Sequence, residues 1–298
     1  MKYLNKIIII TVFLFSLFVV YGCTNKQHNV SQDPEIEAIN DLIHEIEIIN
    51  NTYPSINTKT RGDWWHYILT AFVDGCAGLL VLQIPILQYQ TLTCAILASN
   101  IFYERLPNVS SAESSPLRDD EVALTYIDNE LWTGEGSRSG YLHNRVIFNL
   151  YETHGDEFFS LPEEEMALLV SEEVSLLTGE DADLLYAATI DNMSIINRCV
   201  ELCNVDSTVE DYFISLKNEF PEKEQILSIY EPIIEGLQTA NPVEDNGEYV
   251  TLIMSVIDNS SVQQSIKEDL KSGLTIANAS ARLWNTETIE KDELSNLQ

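Results

Sequence analysis

A histidine and an asparagine stand side by side where a glycine-rich tract leads into a predicted helix. The tract 133–140 holds three glycines and runs directly into Tyr141-Leu142-His143-Asn144. Imidazole is the side chain that most readily exchanges a proton near neutral pH, and a neighbouring amide can orient a ligand. His143 and Asn144 are therefore candidate ligand-binding residues. The structural alternative is that Asn144 or Ser139 caps the helix while His143 packs against neighbouring helices.

Asp74 is the second candidate, because it is the one formally charged side chain in the forty residues 64–103. A carboxylate in so apolar a stretch should be buried, and a buried charge needs a partner. His143, His66 and an arginine are the candidate partners. Burial raises the pKa of such a carboxyl group, which is a common property of functional acids. The sequence favours a purely structural hydrogen bond to a hydroxyl group or a helix N-terminus over a functional role.

Trp65 and His66 open the same stretch and complete the candidate set. His66 lies eight residues before Asp74, which is about two helical turns. The two side chains therefore share one side of a helix without touching each other directly.

The sequence lacks the motif sets of the common enzyme and metal-site classes. It contains no phosphate-binding glycine loop, no serine elbow and no His-Glu-x-x-His helix. The remaining histidines have no metal-ligand spacing, so we predict neither a metal site nor a cofactor.

Four cysteines remain once Cys23 is set aside. Cys76 and Cys94 lie inside the apolar stretch, where a cysteine behaves as a small hydrophobic residue, and we predict buried thiols there. Cys199 and Cys203 are four residues apart on one predicted helix face, and the sequence does not decide their pairing.

Cys23 belongs to a predicted lipoprotein signal. Lys2 and Lys6 precede the apolar run 7–20, which ends in Val20-Tyr21-Gly22-Cys23. Fourteen apolar residues are too few for a comfortable membrane span, which needs about 20, and have the length of a signal-peptide core. The ending resembles the lipobox of bacterial lipoproteins, although Tyr21 departs from the usual pattern. It implies lipidation at Cys23 and anchoring in the bacterial cell envelope, on the periplasmic or surface face.

The formal net charge of −31 restricts the classes of partner. Nucleic acid and anionic membrane surfaces would both repel so acidic a chain, so we predict no nucleic-acid partner and attachment to the membrane only through the N-terminal lipid. The sequence does not identify a protein or small-molecule partner.

The elements that must position the candidates are helices. Pro85 divides the apolar stretch into two segments, and Ala71, Gly75 and Gly78 form a small-residue stripe that allows close helix approach. We interpret 64–103 as a buried helical hairpin. A membrane-inserting hairpin is the alternative, which Asp74 opposes at a cost of about 3 kcal/mol.

Amphipathic helical patterns fill the rest of the chain. Pro162 and three glutamates open a helix with the apolar stripe Met166, Leu169, Val170, Val174 and Leu177, and Gly179 ends it. Gly273 is predicted to separate two helices near the C-terminus. No segment alternates with period two, so the prediction is an all-α, multi-helix bundle around the central hairpin. The domain boundaries are residues 1–22 for the signal peptide, 23–32 for the anchor and tether, and 33–298 for one all-α domain.

The layout resembles exported bacterial lipoproteins that have a small-residue helix around Asp-x-x-Gly, a Gly-x-x-His-Asn helix start and a closing Ser-x-x-Leu-Trp. The matching residues are Asp74 with Gly75 and Gly78, Gly140 to Asn144, and Ser280 to Trp284. This resemblance implies an exported lipoprotein and carries no activity.

Three functional hypotheses follow. The leading one is a non-enzymatic binding or interaction module at the cell envelope. The second is a hydrolase-like enzyme that uses His143 with a buried acid, and the third is a membrane-active protein that inserts residues 64–103.

Overall fold

A computed structural model of the protein describes residues 34–53, 64–81, 89–105, 138–203, 208–240 and 247–284. These residues form eleven α-helices and two short 3₁₀ helices, and no strand occurs among them. In chain order the α-helices are α1 (Pro34–Thr52), α2 (Trp64–Val81), α3 (Gln90–Arg105), α4 (Ser139–His154), α5 (Glu163–Thr178), α6 (Ala182–Asp191), α7 (Met193–Leu202), α8 (Val209–Glu219), α9 (Glu224–Ala240), α10 (Glu248–Asn259) and α11 (Gln264–Trp284). The predicted all-α class is confirmed.

The chain divides into two compact units, residues 1–37 and residues 38–298. Of the first unit, the structure describes residues 34–37, the opening turn of α1. The predicted signal peptide 1–22, the tether 23–32 and Cys23 lie outside the described residues. The second unit contains the rest of α1 and every later helix.

Helices α2 and α3 form the centre of the second unit. Side chains 69–81 of α2 and 89–102 of α3 are all buried, whether apolar or polar. Helix α11 packs against α2, while α5, α6 and α7 pack against α3. This burial agrees with the interpretation of the central hairpin as a core. No helix within the described ranges has both the length and the apolar character needed to cross a membrane.

Glycines allow the central helices to approach one another closely. A methyl group at Gly75 would overlap the hydroxyl group of Tyr230, and one at Gly78 would press on Thr91 of α3. The predicted small-residue stripe therefore packs as expected. The prediction for Gly273 is wrong, because α11 continues through this residue. A larger side chain there would press on Leu79 and Tyr230. Close packing, not a helix break, accounts for this glycine.

The outer helices bury one face each. In α5 the acidic first turn, the buried residues Met166, Val170 and Val174, and the left-handed Gly179 at its end all match the sequence pattern. Leu177 differs, since 37% of it is exposed although the periodicity places it on the buried stripe.

Candidate functional site

Side chains from four helices meet inside the bundle. Asp74 comes from α2, His143 and Asn144 from the first turns of α4, and Ser280 from α11; with Ser99 of α3 they form what we call the polar cluster. Every member is at most 1% exposed. The cluster therefore lies in the core and not at the surface.

Gly140 explains why the first turns of α4 reach this position. A methyl group there would overlap the backbone carbonyl of Thr275, so only glycine lets α4 lie so closely against α11. Ser272 donates a hydrogen bond to Ser139 at 2.9 Å across the same contact. Arg138 occupies the N-cap position and makes no side-chain cap, so the predicted capping by Ser139 or Asn144 is wrong. Both side chains bridge to α11 instead.

Asp74 is held by a hydroxyl group and an imidazole. The Ser280 hydroxyl donates to Oδ2 of Asp74 at 2.5 Å, and Nε2 of His143 lies 3.5 Å from the same oxygen. At that distance we treat the second contact as electrostatic, because it is at the outer limit of a hydrogen bond. The predicted pairing of Asp74 with His143 is confirmed, and the predicted hydroxyl partner is present as well.

Asn144 fixes the tautomer of His143. Its Nδ2 donates to the carbonyl of Ala279 at 2.8 Å, and its Oδ1 lies 2.9 Å from Nδ1 of His143. Since an amide oxygen can only accept, Nδ1 must carry the hydrogen. In the neutral imidazole, Nε2 then presents a lone pair towards Asp74.

One of the two groups in this pair therefore carries a proton. A lone pair on Nε2 and a carboxylate oxygen would face each other as two acceptors, so either Asp74 or Nε2 of His143 carries a hydrogen. Burial raises the pKa of Asp74, while hydrogen bonding and positive charge from His143 oppose that rise, as do hydrogen bonds from Ser280 and Ser99. The net effect is a raised pKa for Asp74.

Trp284 closes the cluster from the end of α11. Its indole Nε1 donates to the Ser99 hydroxyl at 3.1 Å, which leaves the hydrogen of Ser99 for Asp74. The indole stacks on Tyr103 with 4.2 Å between ring centroids. The last helix is thus tied to both α2 and α3.

Of the predicted site residues, the structure brings together Asp74, His143 and Asn144. Trp65 and His66 belong to α2, but their side chains lie outside the described part of the chain. Sequence analysis missed Ser99 and the role of Ser280. Ser280 had a signal, as the first residue of the Ser-x-x-Leu-Trp segment, whereas Ser99 looks like any small residue of a buried helix.

Ser280 is not placed for nucleophilic attack in this arrangement. A serine nucleophile needs its hydroxyl group on the imidazole that takes its proton. Here the Ser280 hydroxyl is bound to the carboxylate instead. Within the described ranges, no group of three or more histidine, cysteine or acidic side chains could hold a metal ion.

The four cysteines are buried free thiols, which confirms the prediction for Cys76 and Cys94 and answers the open question for Cys199 and Cys203. Burial raises the pKa of the Cys94 thiol to about 12. Burial raises the pKa of the Cys76 thiol well above its ordinary value, and negative charge on Cys199 and Cys203 would raise it further.

Comparisons with protein-family models, curated proteins and solved structures find no match to this chain.

Proposed function

We propose that this protein is a non-enzymatic binding module, attached to the bacterial cell envelope by a lipid on Cys23. The observation that supports it best is the placement of the reactive side chains. His143, Asp74 and Ser280 are each 0% exposed and bind one another. They connect helices, so the function of the domain belongs to its outer surface.

The sequence supplies the rest of the proposal. The Val20-Tyr21-Gly22-Cys23 ending indicates export and lipidation. The net charge of −31 disfavours nucleic acid and anionic lipid surfaces, which leaves neutral or cationic partners. A domain held on an envelope face through its N-terminus presents its helical surface to such partners.

Two linked experiments test this proposal. Cells that produce the wild-type chain, Cys23→Ser or His143→Gln are labelled with an alkyne analogue of palmitate and cross-linked with formaldehyde. We expect lipid label in the wild type and none in Cys23→Ser. We also expect the same cross-linked adducts in the wild type and in His143→Gln, because the imidazole is internal.

Absence of lipid label from the wild type would disprove the anchor. A wild type without adducts above background would disprove the binding role. Loss of the adducts in His143→Gln, with its helical circular dichroism intact, would show that the polar cluster itself binds the partner.

A hydrolase is the second candidate, because a serine, a histidine and an aspartate do meet in the polar cluster. A fluorophosphonate probe separates the two functions, with Ser280→Ala as the matched control. We expect no labelling of the wild type. Labelling that disappears in Ser280→Ala would establish the enzyme instead.

A further inference from the structure

The turn between α5 and α6 exposes leucines to an unusual degree. Leu176 is 80% exposed, Leu177 is 37% exposed and Leu184 is 51% exposed, all within nine residues. We call these three residues the leucine apex. Leu168 lies two turns earlier on the same outward side of α5 as Leu176 and is 42% exposed. Single exposed leucines are ordinary, but apolar clusters on packed helices mark interaction surfaces.

Local hydrogen bonds define the backbone conformation of the leucine apex. Gly179 adopts a left-handed conformation (φ 82°) that ends α5, and the Asp181 side chain accepts from the backbone of Leu184 to start α6. Between them, both carboxylate oxygens of Glu180 lie 3.3 Å from the backbone nitrogen of Tyr89. A partner that binds here meets a surface that needs little ordering, which favours affinity.

The sequence that contains the leucine apex carries one sign of charge. Between His154 and Arg198 the chain contains eleven acidic residues and no lysine, arginine or histidine. Glu172, Asp181 and Asp183 are exposed next to the leucines. A surface with apolar side chains at its centre and carboxylates around them is complementary to the opposite pattern.

We propose that the leucine apex binds a cationic amphipathic helix of a partner protein, with its apolar side chains on Leu176 and Leu184 and its lysines or arginines towards the acidic rim. This inference rests on the proposed binding function and names the class of partner. A second copy of the same chain is a poor occupant, because its own net charge of −31 would repel it. An anionic lipid surface is excluded for the same reason.

The test uses the full chain in phosphatidylcholine nanodiscs, with empty nanodiscs as the blank. The probe is a fluorescent synthetic helix composed only of leucine and lysine, and anisotropy gives its Kd at low and high salt. The apolar variant is Leu176→Ser with Leu184→Ser. Its matched control is Ile214→Ser with Leu252→Ser, which are 50% and 44% exposed on other helices.

We expect binding to the apolar variant to be about tenfold weaker than to the wild type, and binding to the control to change less than about twofold. The charge variant Glu172→Gln with Asp183→Asn should weaken binding and reduce its salt dependence, whereas Glu222→Gln with Glu224→Gln, both exposed elsewhere, should not. Circular dichroism shows that each variant is folded.

If the apolar variant and its control lost binding of the synthetic helix equally, the proposal would be overturned. The helix would then be attracted to the acidic surface as a whole and not to the leucine apex. Absence of binding to every form would overturn the proposal too. Either result leaves the proposed binding function standing if formaldehyde adducts still form in cells, because those adducts can arise anywhere on the surface.

Discussion

Two helical hairpins of this protein differ in which side chains they bury and which they expose. The central hairpin, α2 and α3, holds polar groups inside an apolar shell, with Asp74 and Ser99 both 0% exposed. The outer hairpin, α5 and α6, presents leucines to solvent among carboxylates. Each arrangement is unfavourable unless a partner compensates for it.

The difference lies in where the partner is found. In the central hairpin the protein supplies it, because α4 and α11 bring His143 and Ser280 to Asp74. In the outer hairpin the leucine apex keeps 80% of Leu176 exposed. The buried polar side chains are thus compensated within the fold, whereas the exposed leucines are the proposed binding site for another molecule.

Thiol reactivity should show the largest contrast between the two hairpins. In a Cys23→Ser background, the four native thiols are buried, and Leu176→Cys adds one at the leucine apex. Buried thiols react only through opening of the fold, so we expect Ellman's reagent to modify the added thiol about 10³-fold faster or more. Four thiols that react as fast as the added one would contradict the buried core.

Truncating a leucine should destabilise the protein in one hairpin and not in the other. Leu97 in α3 is 0% exposed, so Leu97→Ala should lower the free energy of unfolding by about 3 kcal/mol. Leu176→Ala should change it by no more than about 0.5 kcal/mol, because its side chain makes few contacts. Urea unfolding followed by circular dichroism measures both. Similar losses would show that the leucine apex is part of the core.

Two glycines give a matched pair for backbone effects. Gly140→Ala places a methyl group on the carbonyl of Thr275 and should cost about 3 kcal/mol, since neither backbone can move away without separating α4 from α11. Gly179→Ala meets no atom within 4 Å and is strained only by its positive φ, so it should cost about 1 kcal/mol. Thermal unfolding compares the two. An equal cost would mean that α4 and α11 are less closely packed than described.

The pH dependence of stability gives the smallest expected effect. The pKa of Asp74 is raised in the folded protein above the ordinary value of 3.8, so its protonated form stabilises the fold. That contribution is complete below pH 3.8 and is lost as the pH rises through the raised value.

Asp74→Asn stays neutral and lacks this dependence. Acidification should therefore stabilise the wild type relative to this variant, which is measured as a change in the difference between their unfolding free energies across the pH range. Asp191→Asn, an exposed substitution on α6, is the control and should follow the wild type. A constant difference between the wild type and Asp74→Asn would show that Asp74 keeps the same protonation state throughout.

The sequence was informative where a polar residue or a helix-ending residue interrupted an apolar pattern. Asp74 stood out as the one formally charged residue of the stretch 64–103, and its pairing with His143 follows from the cost of an unpaired buried charge. The end of α5 before Gly179 follows from local helix signals.

It was uninformative where burial is uniform. All sides of α2 and α3 are buried, so periodicity could not show that Ser99 faces Asp74 and Trp284. Gly273 was misassigned for a related reason: a glycine that breaks a helix and one that lets two helices touch look alike locally. The exposure of Leu177 likewise depends on where α6 packs, and the local sequence pattern does not predict that packing.

The hydrogen bond from Ser280 to Asp74 joins residues 206 positions apart, and it has a consequence for how the chain is made. The last described helix lies in the middle of the core, between α2 and α4, so the core has no complete form until residues 264–284 have been synthesised. Contacts of such long sequence separation form slowly, because the loop entropy is lost before they stabilise anything. The apolar faces of the earlier helices therefore stay exposed until residues 264–284 pack against them. Under the proposed export, this delay would keep the polypeptide unfolded while it crosses the membrane and postpone the closing of its core to the far side.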